Sequence, residues 1–137
     1  MKGVVFFDGA SRGNPGPASC SAVVRVEGLP EREVAAFLGT TTNNVAEYCG
    51  LLLGLYEARE LGADEVAIFS DSNLCVQQLK GEYKVQSPNL IPLYQKVLSL
   101  LKKFSRWEIS HVPREENKRA DSLSNRILDL QEKIRGE

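Results

Sequence analysis

Three strand-like segments, separated only by tight turns, precede the first helical pattern in this chain. They span residues 3–8, 18–26 and 33–38, and the turns between them contain GNPGP at 13–17 and GLP at 28–30. Glycine and proline at this density end one element and begin the next within a few residues. Because connections this short cannot make a crossover, the three segments are predicted to form an antiparallel meander.

The remainder of the chain alternates between helical periodicity and short apolar runs. The patterns predict helices over residues 44–61, 72–80, 89–104 and 118–134, and strands over residues 66–70 and 107–112. The strand at 66–70 is apolar almost throughout, which is typical of an interior strand. The predicted fold is therefore α/β, in the order βββαβααβα, with a five-stranded mixed sheet flanked by helices. Residues 1–137 are expected to form a single domain.

The first predicted helix carries apolar residues at helical spacing. The set expected on its inward face is Val45, Tyr48, Cys49, Leu52 and Tyr56. Gly62 is expected to end this helix as a C-terminal cap.

Charge and cysteine usage restrict the class of protein only loosely. Residues 1–79 carry a net charge of −5 and residues 80–119 a net charge of +5. This asymmetry is explained equally by a solvated helix face and by a nucleic-acid-binding surface. Three widely spaced cysteines and a single histidine disfavour a structural zinc site and favour a reducing compartment. With no apolar run approaching roughly 18 residues and no secretory signal, a cytoplasmic protein without a membrane partner is expected, as a monomer.

Four carboxylates lie at the predicted ends of elements. Asp8 and Asp71 follow apolar strands, Glu47 lies early in the first helix, and Asp121 opens the last one. Capping of a turn or helix would explain any one of them. If Asp8 and Asp71 end neighbouring strands, however, two carboxylates about 4 Å apart repel by about 4 kcal/mol at an effective dielectric constant of about 20. Divalent cations remove that repulsion, and an all-oxygen ligand set favours Mg²⁺, two of which can promote phosphodiester hydrolysis.

Small and amide residues surround two of these carboxylates along the chain. They are Gly9, Gly13, Gly16, Asn14, Asn43 and Asn44. Glycines allow backbone to approach a sugar–phosphate chain closely, and short amides can bind 2′-hydroxyls and base edges in a minor groove. Turn formation alone would explain each asparagine, but their clustering near carboxylates favours a duplex ligand.

These segments resemble the motifs of the type 1 ribonucleases H. FFDGASRGNPGP at 6–17 is similar to the opening Asp-Gly-x-x-x-Gly-Asn-Pro-Gly-Pro motif, and TTTNNVAEYCGLLLGL at 40–55 to the Thr-Asn-Asn-x-x-Glu helix start. IFSDSNLCVQQL at 68–79 is similar to the Asp-Ser strand–helix junction, and REENKRADSLSN at 114–125 to the Asn-x-x-x-Asp last helix. The four segments follow the family order and cover almost the whole chain.

The resemblance implies a ribonuclease H-like fold and an endonuclease that hydrolyses the RNA strand of RNA–DNA hybrids, leaving 5′-phosphate and 3′-hydroxyl ends. The implied ligands of two Mg²⁺ or Mn²⁺ ions are Asp8, Glu47, Asp71 and Asp121. The implied substrate contacts are Gly9, Ser11, Asn14, Thr42, Asn43 and Asn44. Thr42 would bind a phosphate of the DNA strand, with help from Ser87.

The sequence departs from the family pattern after Gly81. Only residues 82–86 lie between that glycine and Ser87, where many members carry a basic, tryptophan-bearing protrusion. The chain therefore resembles a short form, without that protrusion and without a hybrid-binding domain. Substrate binding is expected to be weaker, or to be supplied by Lys102, Lys103 and Lys118.

A second departure concerns the segment after the fifth predicted strand, where the family often places a mobile catalytic histidine. His111 is a candidate, yet it lies within the strand pattern WEISHV. Arg114, in the following loop, is the competing candidate. The sequence leaves both roles open.

Three alternative functions compete with this prediction. Holliday-junction resolvases and integrases share the fold and the metal carboxylates, but the asparagine pair and the GNPGP turn disfavour them. A non-catalytic hybrid-binding module would be expected to lack at least one of the four carboxylates. The ribonuclease domain of a reverse transcriptase is the third alternative.

Overall fold

The computed structural model describes residues 1–136 and contains one sheet packed between helices. Its strands are β1 (Lys2–Ser11), β2 (Gly16–Val26), β3 (Arg32–Thr41), β4 (Glu65–Ser70) and β5 (Arg106–His111). Its helices are α1 (Asn43–Glu60), α2 (Asn73–Leu79), α3 (Ile91–Leu101) and α4 (Lys118–Gly136), with a 3₁₀ helix at Arg114–Asn117. The predicted order is confirmed, with that 3₁₀ turn as an addition.

The sheet has the strand order β3-β2-β1-β4-β5. The pairs β1–β2 and β2–β3 are antiparallel, whereas β1–β4 and β4–β5 are parallel. The predicted mixed sheet with an antiparallel meander is therefore confirmed, and β4 lies in its interior. Because β1 and β4 are parallel neighbours, their carboxyl ends lie at the same edge of the sheet, where α/β proteins commonly bind ligands.

Strand β1 is longer than predicted, so Asp8 lies within the strand rather than at its end. The antiparallel ladder with β2 pairs Asp8 with Ser21 and continues to Ser11 and Ala18. This ladder leaves only residues 12–15 for the turn. The parallel ladder with β4, in contrast, stops at Phe6. Asp8 thus lies just past the last residue of β1 that pairs with β4.

The two faces of the sheet are covered by different helices. Gly54 of α1 faces Val5 and Ala22 on one side. On the other side, the hydroxyls of Ser19 and Ser21 bond to backbone carbonyls of α4 at 2.6 Å. Because successive residues of a strand point to opposite faces, α1 and α4 enclose β2 from the two sides.

Helix α1 packs against the sheet through glycines. The inward face predicted for this helix is therefore corrected. A Cβ at Gly50 would lie 2.5 Å from the carbonyl oxygen of Asp8. Tyr48 and Leu52 are buried as predicted, but Tyr56 is 51% exposed. The helix is rotated so that Gly50 and Gly54 face the strands. No helix among residues 1–136 is long and apolar enough to cross a membrane.

Candidate active site

Four chain segments place one carboxylate each in a single cleft of about 390 Å³. Asp8 comes from β1 and Glu47 from the second turn of α1. Asp71 follows β4 directly, and Asp121 lies in the first turn of α4. The other lining residues are Gly9, Ala10, Ser11, Asn43, Ser72, Arg114 and Asn125. The arrangement brings together four residues that are up to 113 positions apart in the chain, from Asp8 to Asp121.

The position of Glu47 follows from the packing of α1 against β1. Thr42 caps the helix, because its hydroxyl accepts a hydrogen bond from the backbone N–H of Val45 at 3.3 Å. A side chain at Gly9 would overlap the backbone of residues 46 and 47. The packing of α1 therefore requires glycine at this position, and the contact of Gly9 with a substrate stays a prediction. The packing of α1 against β1 carries Glu47 to the side of Asp8.

Two of the carboxylates are held by asparagine side chains. The Nδ2 of Asn117 donates to Oδ1 of Asp71 at 3.2 Å, and the Nδ2 of Asn125 donates to Oδ1 of Asp121 at 3.3 Å. The sequence pattern had marked neither amide as a site residue. The Asn-x-x-x-Asp spacing before Asp121 was the available signal for Asn117.

The other two carboxylates are buried and incompletely bonded. Asp8 and Glu47 are 4% and 6% exposed, and the Oδ2 of Asp8 and Oε2 of Glu47 have no hydrogen-bond partner. Burial, with the carboxylates of Asp121 and Asp71 nearby, raises the pKa of Asp8 to about 7. Burial and the charge of Asp8 likewise raise the pKa of Glu47 well above its usual range. The cleft therefore concentrates acidic groups whose negative charge Arg114 offsets only in part.

The predicted substrate residues occupy the edge of this cleft to different degrees. Gly9, Ser11 and Asn43 line it. The Oδ1 of Asn14 accepts a hydrogen bond from the backbone N–H of Asn43 at 3.1 Å, which joins the GNPGP turn to the start of α1. Asn44 is exposed on the first turn of α1.

Ser87 lies apart from the residues that line the cleft. It is exposed in the segment between α2 and α3, and its carbonyl accepts hydrogen bonds from the backbone of Leu90 and Ile91. That segment runs only from the end of α2 to Ile91, so the predicted short connection without a protrusion is observed.

The two candidates for the loop role differ in position. His111 is the last residue of β5, is exposed, and is not among the residues that line the cleft. Arg114 opens the 3₁₀ helix, lines the cleft, and its charge lowers the pKa of Asp8 against the larger effect of burial. The geometry favours Arg114.

Two of the three lysines expected to bind substrate lie at the end of the sheet opposite the cleft. Lys102 and Lys103 follow α3 and lie three and two residues before Ser105, whose N–H bonds to the carbonyl of Asp64 at 2.8 Å. Asp64 precedes the start of β4, whereas Asp71 follows its end. At about 3.3 Å per strand residue, the two ends of β4 are roughly 20 Å apart. Lys102 and Lys103 therefore lie away from the cleft, and their contact with a duplex stays a prediction.

Comparison with known proteins shows that the chain is similar to proteins named as ribonucleases H. A family model described as "Reverse transcriptase-like" matches residues 6–127. The Ribonuclease HI of Halobacterium salinarum is 42% identical over 90% of this chain and 63% of its own length. The bifunctional protein Rv2228c of Mycobacterium tuberculosis is 46% identical over 94% of this chain, which spans only 36% of that relative.

Solved structures agree with this placement. The crystal structure of RNase H1 from Halobacterium salinarum superposes with a TM-score of 0.89 at 39% identity, over 94% of this chain and 98% of that one. The structure of LC11-RNase H1 in complex with an RNA/DNA hybrid has a TM-score of 0.83 at 37% identity, over 90% and 94% of the two chains.

Proposed function

Because the chain belongs to the type 1 ribonuclease H family, we propose that it is an endonuclease that hydrolyses the RNA strand of RNA–DNA hybrids. The observation that carries the proposal is the convergence of Asp8, Glu47, Asp71 and Asp121 on one cleft. The hybrid bound by the similar LC11-RNase H1 supports the same class of substrate. The proposed products carry 5′-phosphate and 3′-hydroxyl ends.

The chemistry of the cleft fits divalent cations. Unpartnered oxygens on Asp8 and Glu47, together with raised pKa values, indicate a cluster whose counter-charge comes from outside the protein. Among residues 1–136, no three His, Cys, Asp or Glu side chains are arranged to hold a single metal ion by themselves. Mg²⁺ is typically bound through one or two carboxylates, with water and substrate phosphate completing its shell. We propose that the four carboxylates hold two Mg²⁺ ions, with Mn²⁺ as a substitute.

Such a pair of ions, when bound, supplies an activated water and stabilises the leaving oxygen. The residues of the chain supply orientation and additional charge. Asn125 fixes the carboxylate of Asp121 through its amide. Arg114 carries its positive charge at the cleft edge, where it can pair with a phosphate oxygen that the carboxylates would otherwise repel. We propose Arg114, rather than His111, for this role.

Selection of a hybrid is proposed to come from the groups at the start of α1 and in the GNPGP turn. Asn14, Asn43 and Asn44 carry amides that can bind 2′-hydroxyls, while Gly9 and Ser11 lie beside them. The Thr42 hydroxyl accepts from the helix backbone, so its own proton remains available to a phosphate of the DNA strand.

The segment between α2 and α3 bears on hybrid binding, and the three cysteines bear on the cellular compartment. Ser87, in the segment between α2 and α3, is proposed to assist Thr42 at the DNA strand, and the shortness of that segment is proposed to weaken hybrid binding. The protein is proposed to act as a monomer in the cytoplasm, and its three free cysteines support a reducing compartment.

A cleavage assay with matched duplexes tests the proposal. The substrates are a labelled RNA–DNA hybrid, duplex DNA, duplex RNA and a hybrid with 2′-O-methyl groups, each with and without Mg²⁺. We expect Mg²⁺-dependent cleavage of the unmodified hybrid and none of duplex DNA or the 2′-O-methyl hybrid, because phosphate contacts do not distinguish duplexes and 2′-hydroxyl contacts do. Duplex RNA, which carries 2′-hydroxyls on both strands, shows whether a DNA strand is also required. Equal cleavage of duplex DNA would overturn the proposed activity. Binding of the hybrid without cleavage at any Mg²⁺ concentration would support a binding module instead.

A salt series separates selection from affinity. Affinity should fall as salt rises, while the preference for the hybrid should persist. The dependence on salt should be shallower than for a relative with a basic protrusion, since fewer Lys and Arg side chains reach phosphates. A steep dependence would contradict only the claim about the missing protrusion.

A further inference from the structure

A single buried amide connects the ends of β1 and β4. Asn117, at the end of the 3₁₀ helix, is 1% exposed. Its Nδ2 donates to the carbonyl oxygen of Phe7 at 2.8 Å and to Oδ1 of Asp71 at 3.2 Å. An amide nitrogen has two hydrogens, so both of its donors are used.

The two acceptors belong to residues that define the cleft. Phe7 directly precedes Asp8 in β1, and Asp71 is itself one of the four carboxylates. Asn117 also lies one turn before Asp121, at the entry to α4. One side chain therefore links three of the four segments that carry the carboxylates.

The hydrogen bonds of Asn117 matter most where β1 and β4 stop pairing. The parallel ladder between these strands ends at Phe6 and Phe69, so no backbone hydrogen bond joins Asp8 to Asp71. Mutual repulsion between the two carboxylates acts to separate them at that point. The amide of Asn117 opposes that separation, because one of its hydrogens bonds to β1 and the other bonds to the residue that follows β4.

Packing alone does not account for an asparagine here. The Oδ1 of Asn117 is buried and has no hydrogen-bond partner, which is an unfavourable state for an amide. An apolar side chain of similar volume would fill the space without leaving a buried acceptor unpaired. Such an apolar residue would, however, lose the two N–H donors at the other end of the amide.

We propose that Asn117 is a positioning residue, which holds the Asp71 carboxylate at a fixed place relative to β1 and so prepares the cleft to bind divalent metal ions. This inference rests on the proposed function, because it assigns the role of Asn117 to the metal-binding step. Groups that orient metal ligands typically change metal affinity by 10- to 100-fold when removed.

Metal binding, measured apart from cleavage, tests the proposal. The probe is Mn²⁺, and the electron paramagnetic resonance signal of the free ion reports the fraction bound. Asn117→Leu should weaken Mn²⁺ binding by about 10-fold or more. Unchanged binding by this variant would overturn the proposal.

A matched control separates the loss of a buried amide from the loss of positioning. Gln78 is 5% exposed, and its Oε1 accepts a hydrogen bond from the hydroxyl of Tyr48 at 2.6 Å. Gln78→Leu therefore removes a buried amide that does not contact a cleft carboxylate. It should leave Mn²⁺ binding within about twofold of the original protein. A drop as large as that of Asn117→Leu would assign the effect to general destabilisation and overturn the proposal.

Combination with Asp71→Asn gives the sharpest discrimination. If Asn117 acts through the charge of Asp71, adding Asn117→Leu to Asp71→Asn should weaken Mn²⁺ binding by no more than about twofold further. A second full-sized loss would show that Asn117 acts by another route. Should Asn117→Leu fail to fold by circular dichroism, Asn117→Ser retains one donor and replaces it in the same comparison.

Unfolding by urea in EDTA tests the role of Asn117 without any bound metal ion. In the metal-free protein, the effects of Asn117→Leu and Asp71→Asn on the unfolding constant should be non-additive by about threefold or more, because the two side chains share a hydrogen bond. If the original protein binds no Mn²⁺, the metal proposal fails and this coupling alone decides the case. Additive effects would overturn the positioning role.

Discussion

The side-chain oxygen of Asn14 accepts a hydrogen bond from the backbone N–H of Asn43, at 3.1 Å. The bond joins the turn after β1 to the first residue of α1. Both residues belong to the set proposed to contact the hybrid, so the contact fixes two parts of one binding surface to each other. It lies outside the ladder of the sheet and depends on one amide.

Asn14→Ala should weaken hybrid binding more than it slows cleavage. The variant removes an amide that could contact the substrate and also releases Asn43, and each neutral hydrogen bond contributes about 0.5–1.5 kcal/mol. We expect KM for the hybrid to rise by about 5- to 20-fold, while kcat falls by less than about threefold. Steady-state kinetics on the short labelled hybrid measures both constants. An unchanged KM would remove Asn14 from the binding surface.

Asp71→Asn should abolish most activity without unfolding the protein. Loss of a proposed metal ligand is expected to lower kcat by about 100-fold or more at saturating Mg²⁺. In EDTA the melting temperature should stay the same or rise, because one charge leaves a repulsive cluster. Cleavage close to that of the original protein would contradict the assignment of Asp71. Melting in EDTA tests the second half independently.

The metal-free protein should lose stability as pH rises from about 4.5 to about 7. The pKa of Asp8 is raised to about 7 in the fold, against about 3.9 in the unfolded chain. Between these values the unfolded chain releases a proton that the folded protein keeps, so the free energy of unfolding falls with rising pH. The Asp8 contribution is on the order of 4 kcal/mol and levels off above pH 7. Glu47 acts in the same direction.

Urea unfolding in EDTA at a series of pH values measures this dependence. Asp64 and Glu31 have pKa values lowered by hydrogen bonds to the N-terminal amine and to Arg25, so their stabilisation is lost only at more acidic pH. The range from 4.5 to 7 therefore isolates the cleft. Added Mg²⁺ should restore stability at pH 7.5. A flat profile in EDTA would contradict the charge repulsion argued for the cleft.

Arg114→Ala should lower turnover, and His111→Ala should not. Arg114 lines the cleft, so its loss is expected to reduce kcat by about 10-fold. His111 is exposed at the end of β5, which gives its side chain neither a place in the cleft nor a buried position to stabilise. Turnover and melting temperature of both variants, measured in parallel, decide between the two. A fall in turnover for His111→Ala alone would reverse the assignment.

Gly50→Ala should destabilise the protein by about 1–3 kcal/mol. The new methyl group would lie 2.5 Å from the carbonyl oxygen of Asp8 and 3.0 Å from that of Ser21, both in backbone that cannot move independently. Helix α1 would have to shift away from β1. The matched control is Gly136→Ala, where nothing lies within 4 Å of the added atom. Denaturant midpoints compare the two, and equal stability would contradict the close approach of α1.

The strands, the helices and their order follow from apolar periodicity, and the four carboxylates stand out because charge follows apolar residues. The extension of β1 past Asp8 was missed because polar residues end a hydrophobic pattern, whereas the ladder to β2 continues through backbone hydrogen bonds. The inward face of α1 was misjudged for a similar reason. Periodicity marks bulky side chains, but this helix packs most closely at Gly50 and Gly54.

The Asn-x-x-x-Asp spacing singles out Asn117 in the sequence, but it does not show which groups the Asn117 amide contacts. Asn117 is an asparagine beside a helix start, and such a position is usually explained by capping. Only the register of β1 against β4, together with the 3₁₀ turn, shows that its amide meets both Phe7 and Asp71. The location of Lys102 and Lys103 could not be predicted either, because the number of charges in a segment does not show at which end of the sheet those charges lie.

The hydroxyls that dock α4 on β2 also bear on when the cleft can exist during synthesis. The hydroxyls of Ser19 and Ser21 in β2 bond to the carbonyls of Ser124 and Ala120, which lie roughly a hundred residues later in the chain. A nascent chain that has produced β1 to β5 still lacks α4, and therefore lacks Asp121. Translation must deliver the last helix before all four carboxylates can meet. The cleft is thus completed by a helix that is synthesised after the three segments that carry its other carboxylates.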